Sequence, residues 1–392
     1  MVAGHLHEKN GYYYIILNLT DADGKRRPKW ISTKLPIKGN KKRAEKMLIE
    51  ERRKYSQLTQ NKHTDLLFAD FLVQWLAVAK STISTVTYAS YSNMVNGVIA
   101  PYFRERKITL CGLQPQNIQD FYQEQLKRVK ASTVLHYHAN IHRALRYAVK
   151  MELILNNPAD KVERPKQEKF HGDFYSNAEL NALFDAVSGT KLELAVLFGA
   201  FYGLRRSEIV GLRWDAIDFS NNTITIAHTV TSCVLDGKCV IIAKDTTKTN
   251  SSRRTLPLVP FFKEKLLEIK GRQENNKKLC GRSYNNEYLG YIYVDEIGDR
   301  IKPNYITSQF PIFLEKHGFR RIRFHDLRHS CASLLLASGV PMKNIQEWLG
   351  HSDFSTTANI YAHLDYTSKL ASARAMEEAF VLENKKKATS CS

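Results

Sequence analysis

The spacing of apolar positions changes several times along the chain, and each change predicts an element. Tyr12, Tyr13, Tyr14, Ile15, Ile16 and Leu17 form a β-rich run between Asn10-Gly11 and Asp23-Gly24, the dipeptides that tight hairpin turns favour. Three short strands are expected, the last near Trp30 to Thr33, with a helix from Lys41 to about Leu58 to cover them. From about Asp65 to Asn156 the period becomes helical. Leu67, Phe68, Phe71, Leu72, Trp75 and Leu76 make one stripe, and Ile118, Phe121, Tyr122 and Leu126 another. Asn156-Asn157-Pro158 and Glu163-Arg164-Pro165-Lys166 then break the pattern twice within a polar stretch, which reads as an exposed linker with a boundary near Phe170.

Beyond that boundary Ala178 to Val187 and Leu192 to Tyr202 read as helices, and Thr223 to Ile226 and Cys239 to Ala243 as strands. The remainder reads as helices interrupted at Gly339 and Gly350, with a disordered tail from Asn384. The expected class is therefore α+β multidomain. Its parts are a small three-stranded sheet plus helix over 1–60, a helical domain over 65–160, a mainly helical domain with a small β-sheet over 170–383, and a tail over 384–392.

Charge narrows the partners. The formal net charge is +19 over 392 residues, and the first sixty residues alone carry fourteen Lys/Arg against six Asp/Glu. Such an excess steers toward polyanions, nucleic acid first. A three-stranded sheet can lie in a major groove, which makes Lys25, Arg26, Arg27, Lys29 and Lys34 candidate DNA contacts. With no apolar h-region and no long uninterrupted apolar run, neither a signal nor a membrane span is expected, and the cytoplasm is the default location. The six cysteines show no Cys-x-x-Cys pair and read as reduced thiols. His136, His138 and His142 resemble metal ligands in spacing, but only the last two share a helical face and no carboxylate or thiol completes a set, so no metal is expected.

The candidate chemistry is concentrated in the last third. Tyr361, on a helix capped by Ser355, offers a phenol that can attack phosphorus and leave a phosphotyrosine. A lone tyrosine among nineteen means little, so its neighbours decide. His325 and Arg328 stand three apart at the head of a helix whose Leu334, Leu335 and Leu336 are expected to bury. Arg205 opens another helix after Gly203, whose missing side chain would admit backbone or DNA, and Glu208 can hold its guanidinium. Two arginines can clamp the non-bridging oxygens of one phosphate. Lys248, in a polar tip between strand-like runs, can protonate a departing 5′ oxygen, with Lys244 as the competing choice. His351 follows Gly350, which is placed to end a helix and turn the imidazole back to the site.

Taken together, Gly203-Leu204-Arg205-Arg206-Ser207-Glu208, Lys248-Thr249 with Arg254-Thr255-Leu256-Pro257-Leu258, His325-x-Leu327-Arg328-His329, Leu349-Gly350-His351 and Thr356-Thr357-x-x-x-Tyr361-x-His363 resemble the motifs of a tyrosine recombinase, in particular an integrase of the conjugative-transposon or temperate-phage type. The resemblance spans essentially the whole chain. It implies an arm-type DNA-binding domain, a helical core-binding domain, and a catalytic domain with Arg205, Lys248, His325, Arg328, His351 and the nucleophile Tyr361. It also implies double-stranded DNA with core and arm sites as partner, a homo-tetramer on DNA, and accessory excision or DNA-bending proteins; the helix near Ser368 to Phe380 is a candidate for docking onto a neighbouring subunit, although packing against its own subunit would produce the same apolar stripe. No cofactor is expected, because Arg205, Arg328 and Lys248 supply the positive charge that metal ions supply elsewhere. The rival readings are a type IB topoisomerase, against which the basic first domain argues, and a non-catalytic DNA-binding regulator, against which the full set of six side chains argues.

Overall fold

The computed structural model describes residues 2–20, 26–60, 66–167, 173–245 and 253–350. Two compact units emerge, the first built on the residues up to Lys169 and the second mainly on those that follow. Lys25, Lys248, His351, Tyr361, the segment Ser368 to Phe380 and the tail from Asn384 lie outside the described residues.

The first unit opens with β1 (Ala3–Lys9), β2 (Tyr12–Thr20) and β3 (Arg26–Pro36), an antiparallel meander in sequence order. Asn10 and Gly11 both take positive φ, 52° and 79°, the geometry of a two-residue hairpin turn. Strand period 2 sorts the side chains. Ile15 and Leu17 are buried beneath α1 (Lys41–Gln60), packed with Leu6, Ile31, Met47, Leu48 and Tyr55. His7 pairs with Tyr14, Tyr14 with Ser32 and Ile16 with Trp30, so these residues share the opposite face.

This sorting places the candidate DNA contacts that are described. Lys29 pairs with Leu17, on the helix-covered face, and its ammonium lies 5.0 Å from the centre of the Tyr55 ring. Lys34 is exposed, in a left-handed backbone conformation (φ 57°). The backbones of Arg26 and Arg27 pair with Thr20 and Leu19. The open face instead presents Trp30, 48% exposed, with the His7 ring edge-on at 5.0 Å and the Lys9 ammonium 5.5 Å from its centre.

Five α-helices follow: α2 (Phe68–Lys80), α3 (Thr85–Met94), α4 (Ala100–Glu105), α5 (Pro115–Leu126) and α6 (Ala131–Lys150), with a π-turn at Val95–Ile99 joining α3 to α4. The predicted stripe of α2 is buried, as are Ile118, Phe121 and Tyr122 of α5, whereas Leu126 is exposed. Aromatic edges knit the centre: Phe68 to Phe103 at 4.9 Å, Tyr102 to Phe121 at 4.8 Å and Phe121 to Tyr137 at 5.8 Å. His138 Nδ1 lies 2.7 Å from the Tyr122 hydroxyl, and His142 Nε2 lies 2.8 Å from Asp160 Oδ1. A carboxylate thus does adjoin these histidines, contrary to the sequence reading, but as a hydrogen-bond partner. Among the described residues no group of three or more His, Cys, Asp or Glu is arranged to hold a metal. The first half of the expected linker also proves to be packed. Asn157 and Ala159 are buried in a 3₁₀ turn, Pro158–Lys161, while Glu163, Arg164 and Lys166 are exposed.

The second unit begins with α7 (Asn177–Val187), launched by a reciprocal cap in which Ser176 Oγ accepts from the Glu179 N–H and the Glu179 carboxylate accepts from the Ser176 N–H. Then come α8 (Glu193–Phe201) and α9 (Arg206–Val210). The strands are β4 (Ile217–Asp218), β5 (Thr223–Ile226), β6 (Thr229–Leu235), β7 (Lys238–Lys244) and β8 (Arg254–Pro257). One sheet has the order β4-β5-β8, and β6 and β7 form a separate hairpin turned by Asp236 and Gly237, both at positive φ. Four further α-helices follow among the described residues: α10 (Pro260–Cys280), α11 (Pro303–Lys316), α12 (Asp326–Ala337) and α13 (Met342–Leu349). Apart from its C-terminal Phe201, α8 is buried along its length and forms the axis of this core, with Phe198 against Tyr202 and Phe262. No described helix is long and apolar enough to cross a membrane.

Phe121 is fully buried at the aromatic centre of the first unit. Phe121→Ala is expected to cost about 3–5 kcal/mol, measured on the full chain as a lower urea midpoint for unfolding of the first unit.

Candidate active site

The site is assembled around one carboxylate. Arg205 is the N-cap of α9, and Glu208 three residues later folds back onto it. Glu208 Oε2 accepts from the Arg205 backbone N–H at 3.0 Å, and Oε1 from Arg205 Nη1 at 2.7 Å. From β8, Arg254 Nη2 donates to Oε2 at 3.0 Å. The Glu208 side chain is only 2% exposed. Burial alone would raise its pKa, but the Arg254 and Arg205 guanidiniums outweigh that and hold it below the usual carboxylate value. The group therefore stays ionised at neutral pH.

The same arginines grip the end of α13. Gly350 terminates that helix in the left-handed conformation, φ 69° and ψ 49°, as the sequence suggested. Helix C-termini leave carbonyls without intrahelical donors, and here three consecutive ones are met by three guanidiniums. Arg254 Nε donates to the Trp348 oxygen at 2.8 Å, Arg328 Nη2 to the Leu349 oxygen at 2.6 Å and Arg205 Nη2 to the Gly350 oxygen at 3.1 Å. Arg328 Nη1 also donates to the Gly203 oxygen at 2.6 Å.

Gly203 explains how these groups come so close. Its φ is +62°, and a Cβ there would fall 2.3 Å from Leu349 Cδ2 and 3.5 Å from Arg328 Cγ. The glycine admits Leu349 and Arg328, rather than the DNA or backbone that the sequence reading had in view.

His325 is the N-cap residue of α12, one step outside the helix, and its carbonyl receives the Arg328 N–H at 3.2 Å. Its ring meets His329 edge-on at 5.4 Å. The residue keeps an exposed edge, yet desolvation of the imidazole, followed by the charges of His329 and Arg328, lowers its pKa to about 4. It is a neutral imidazole at pH 7, able to accept a proton. Asp326 anchors the head of α12 through the Arg323 backbone N–H at 2.8 Å and the Arg323 guanidinium at 2.7 Å. The residues that bury this helix are Leu327, Arg328, Cys331 and Ala332; Leu334, Leu335 and Leu336 are only half-buried, which corrects the expected face.

Of the predicted catalytic residues, the structure brings Arg205, His325 and Arg328 together, and both guanidiniums act electrostatically on the imidazole. Lys248, His351 and Tyr361 are outside the described residues, while Lys244 is exposed at the end of β7. Arg206 turns away to the Thr307 hydroxyl of α11. Arg254 was quoted in a motif but given no role: buried and exposed residues alternate along Arg254-Thr255-Leu256-Pro257 in the structure, placing the arginine on the same inward face as Leu256, which the four residue types alone do not reveal.

Two family models match the chain: the phage integrase family over residues 174–368, and the phage integrase N-terminal SAM-like domain over residues 67–126. The chain belongs to the phage integrase family of tyrosine recombinases. Among the relatives of this recombinase is the tyrosine recombinase XerC-like protein of Caldanaerobacter subterraneus subsp. tengcongensis, 27% identical over 331 residues, covering 81% of the chain and 84% of the relative. Another is the ICEBs1 integrase of Bacillus subtilis, 24% identical, covering 84% and 88%. In fold, the recombinase is similar to the Tn1549 transposon integrase in complex with transposon right end DNA, with a TM-score of 0.65 at 16% identity over 79% of this chain and 99% of that one. It is likewise similar to the lambda integrase tetramer bound to a Holliday junction, with a TM-score of 0.55 at 17% identity over 91% and 94%. The recombinase is thus a DNA-cleaving and rejoining enzyme, and the expected class, a three-stranded sheet and helix, a helical domain and a mainly helical domain with small sheets, is the one observed.

For His325 the folded pKa lies below the ordinary 6.5, so the unfolded chain takes up the proton first as pH falls. Its contribution to stability is present above about pH 6.5 and is lost on acidification toward about pH 4. An NMR titration of the full chain is expected to show this imidazole still neutral near pH 6, and a midpoint at the ordinary value would contradict the assignment.

Proposed function

We propose that the recombinase is a site-specific integrase that inserts and excises a mobile element through a 3′-phosphotyrosine intermediate. The observation that carries the reading is the convergence of Arg205 and Arg328 on the carbonyls of Gly350 and Leu349, with the imidazole of His325 under the charge of both guanidiniums. In this scheme His325 takes the phenol proton as the Tyr361 oxygen forms its bond to phosphorus. The bond from phosphorus to the 5′ oxygen breaks, and Lys248 protonates that oxygen. Arg205 and Arg328 stabilise the charge gathering on the non-bridging oxygens, with His351 as a further donor. A 5′ hydroxyl from the partner duplex reverses the step. The ester conserves the bond energy, so neither ATP nor a divalent metal is required.

Residues 1–60 serve as the arm-binding domain, 65–160 as the core-binding domain and 170–383 as the catalytic domain. Strand exchange between two duplexes uses four tyrosines, hence four copies of the chain on DNA, joined by accessory excision or bending proteins that set direction. The work takes place on chromosomal DNA in the cytoplasm. A mobile-element role agrees with the names of relatives such as the ICEBs1 integrase and the Tn1549 integrase. On the arm sheet, the open face with Trp30, His7 and Tyr14 is better placed to meet a groove than Lys29, which packs on Tyr55.

Two measurements test this reading. With nicked suicide duplexes made from candidate element ends, the wild-type chain should form a covalent protein–DNA adduct and Tyr361→Phe none, with DNA affinity retained; no adduct from the wild type on any element end would overturn the scheme. On arm-site DNA, Trp30→Ala should weaken binding by about tenfold, about 1.4 kcal/mol, and by more than Lys29→Ala. The reverse order would return the contact to the basic residues.

A further inference from the structure

Neighbouring arginine and carboxylate groups commonly pair as two forks, through two parallel N–H to oxygen contacts. Arg205 and Glu208 do not. Glu208 holds such a pair with Arg254 instead, Nη2 to Oε2 at 3.0 Å and Nη1 to Oε1 at 3.5 Å, and its Oε2 also accepts the Arg205 backbone N–H at 3.0 Å. What is left to the Arg205 guanidinium is a single-point contact, Nη1 to Oε1 at 2.7 Å, while its Nη2 turns to the Gly350 oxygen at 3.1 Å. Held at both ends, this guanidinium has a fixed plane, and the side chain remains 33% exposed.

Arg254 is itself set by a closed circuit of contacts. It is the first residue of β8, where its backbone pairs with Ile226, and its Nε donates to the Trp348 oxygen at 2.8 Å. The Trp348 ring is stacked on that of Tyr202, with centres 5.8 Å apart and planes 14° from parallel. The Tyr202 hydroxyl donates to the Pro257 oxygen at 3.0 Å, back at the end of β8. Strand and helix end thus fix each other, and Arg254 stands where the circuit meets the carboxylate. A lysine at this position would carry the charge without the fork.

We propose, on the basis of the assignment of Arg205 to the phosphate, that Arg254 is a positioning residue: by engaging both oxygens of Glu208 it keeps Arg205 out of a forked pair and leaves the outer edge of that guanidinium to a non-bridging oxygen of the cleaved linkage. Without Arg254 the carboxylate would draw Arg205 into a two-pronged pair of its own, and the contact from Nη2 to Gly350 would be given up for it. Arg254 acts on the linkage through Glu208 and Arg205.

Single-turnover cleavage of suicide duplexes by the full-length protein provides the test, with phosphate or the uncharged methylphosphonate at the cleaved linkage and each rate taken well below the melting temperature of the variant. A methylphosphonate carries no negative charge for an arginine to stabilise, so Arg205→Ala should be slow on phosphate and lose most of that defect on methylphosphonate. Arg254→Lys is expected to slow phosphate cleavage by roughly tenfold to a hundredfold, with affinity for the duplex retained, and to recover on methylphosphonate in the same way, which a general loss of stability would not produce. Adding it to Arg205→Ala should bring no further loss. In the wild type the two Nη groups of Arg205 should give separate nitrogen NMR signals, and a single averaged signal refutes the fixed orientation even if no Arg254 variant folds. If Arg205→Ala recovers while Arg254→Lys does not, if the two losses add, or if Arg254→Lys cleaves phosphate at the wild-type rate, the positioning role is refuted and the assignment of Arg205 stands. If Arg205→Ala is not slow on phosphate, or fails to recover, the assignment of Arg205 falls and the positioning role with it.

Discussion

An ionised carboxylate removed from water loses several kcal/mol of hydration unless charged partners replace it. Glu208 is such a group, and the way it is compensated organises the catalytic half of the chain. Its oxygens accept from the Arg205 backbone, the Arg205 guanidinium and Arg254. Those donors come from the loop before α9 and from β8, elements that neighbour neither each other in sequence nor the end of α13, where both guanidiniums also bind. Without the carboxylate, the buried guanidiniums of Arg254 and Arg328 would stand beside that of Arg205 with no counter-charge from Glu208. With it, two of them are turned so that their remaining donors meet backbone oxygens in defined directions.

The two arginines expected to handle the phosphate are consequently unlike. The Arg205 side chain is 33% exposed and reaches solvent while leaning on Glu208. Arg328 is 1% exposed, held between the oxygens of Gly203 and Leu349, and burial together with the nearby Arg205 charge pushes its pKa down. A guanidinium this basic keeps its proton regardless, so the arrangement concentrates positive charge where water screens it weakly. The sequence suggested a symmetric pair of clamps. The structure separates an outer arginine from an inner one.

The elements themselves were legible from periodicity. The stripes Phe68 to Leu76 and Ile118 to Tyr122 are buried where period 3.6 put them, and Asn10-Gly11 makes the turn its φ preferences predict. What periodicity could not supply was the identity of a facing surface. Lys29 lies on the covered side of its sheet because register pairs it with Leu17, a fact decided by strand pairing and not by local charge. Leu334 to Leu336 looked like core from hydrophobicity, yet the inward face of α12 holds Arg328, Ser330 and Ser333, polar groups that only partners distant in sequence could satisfy. β6 was hard to see because Thr229, Thr231 and Ser232 interrupt its apolar residues. Arg205, His325 and Arg328, which the structure brings together, were readable as motifs; the carboxylate-centred network behind them was not, since Arg254 and Trp348 lie 94 positions apart.

The grip of three arginines on the carbonyls of Trp348, Leu349 and Gly350 has a thermodynamic corollary. These N–H groups are a finite supply, shared between the peptide backbone and any anion that arrives. An incoming phosphate that recruits them withdraws restraint from the carbonyls that end α13, and by reciprocity the conformation of that helix end alters the affinity for phosphate. Anion occupancy and the freedom of the helix end are thus two readings of a single equilibrium, linked through backbone oxygens without any intervening moving part.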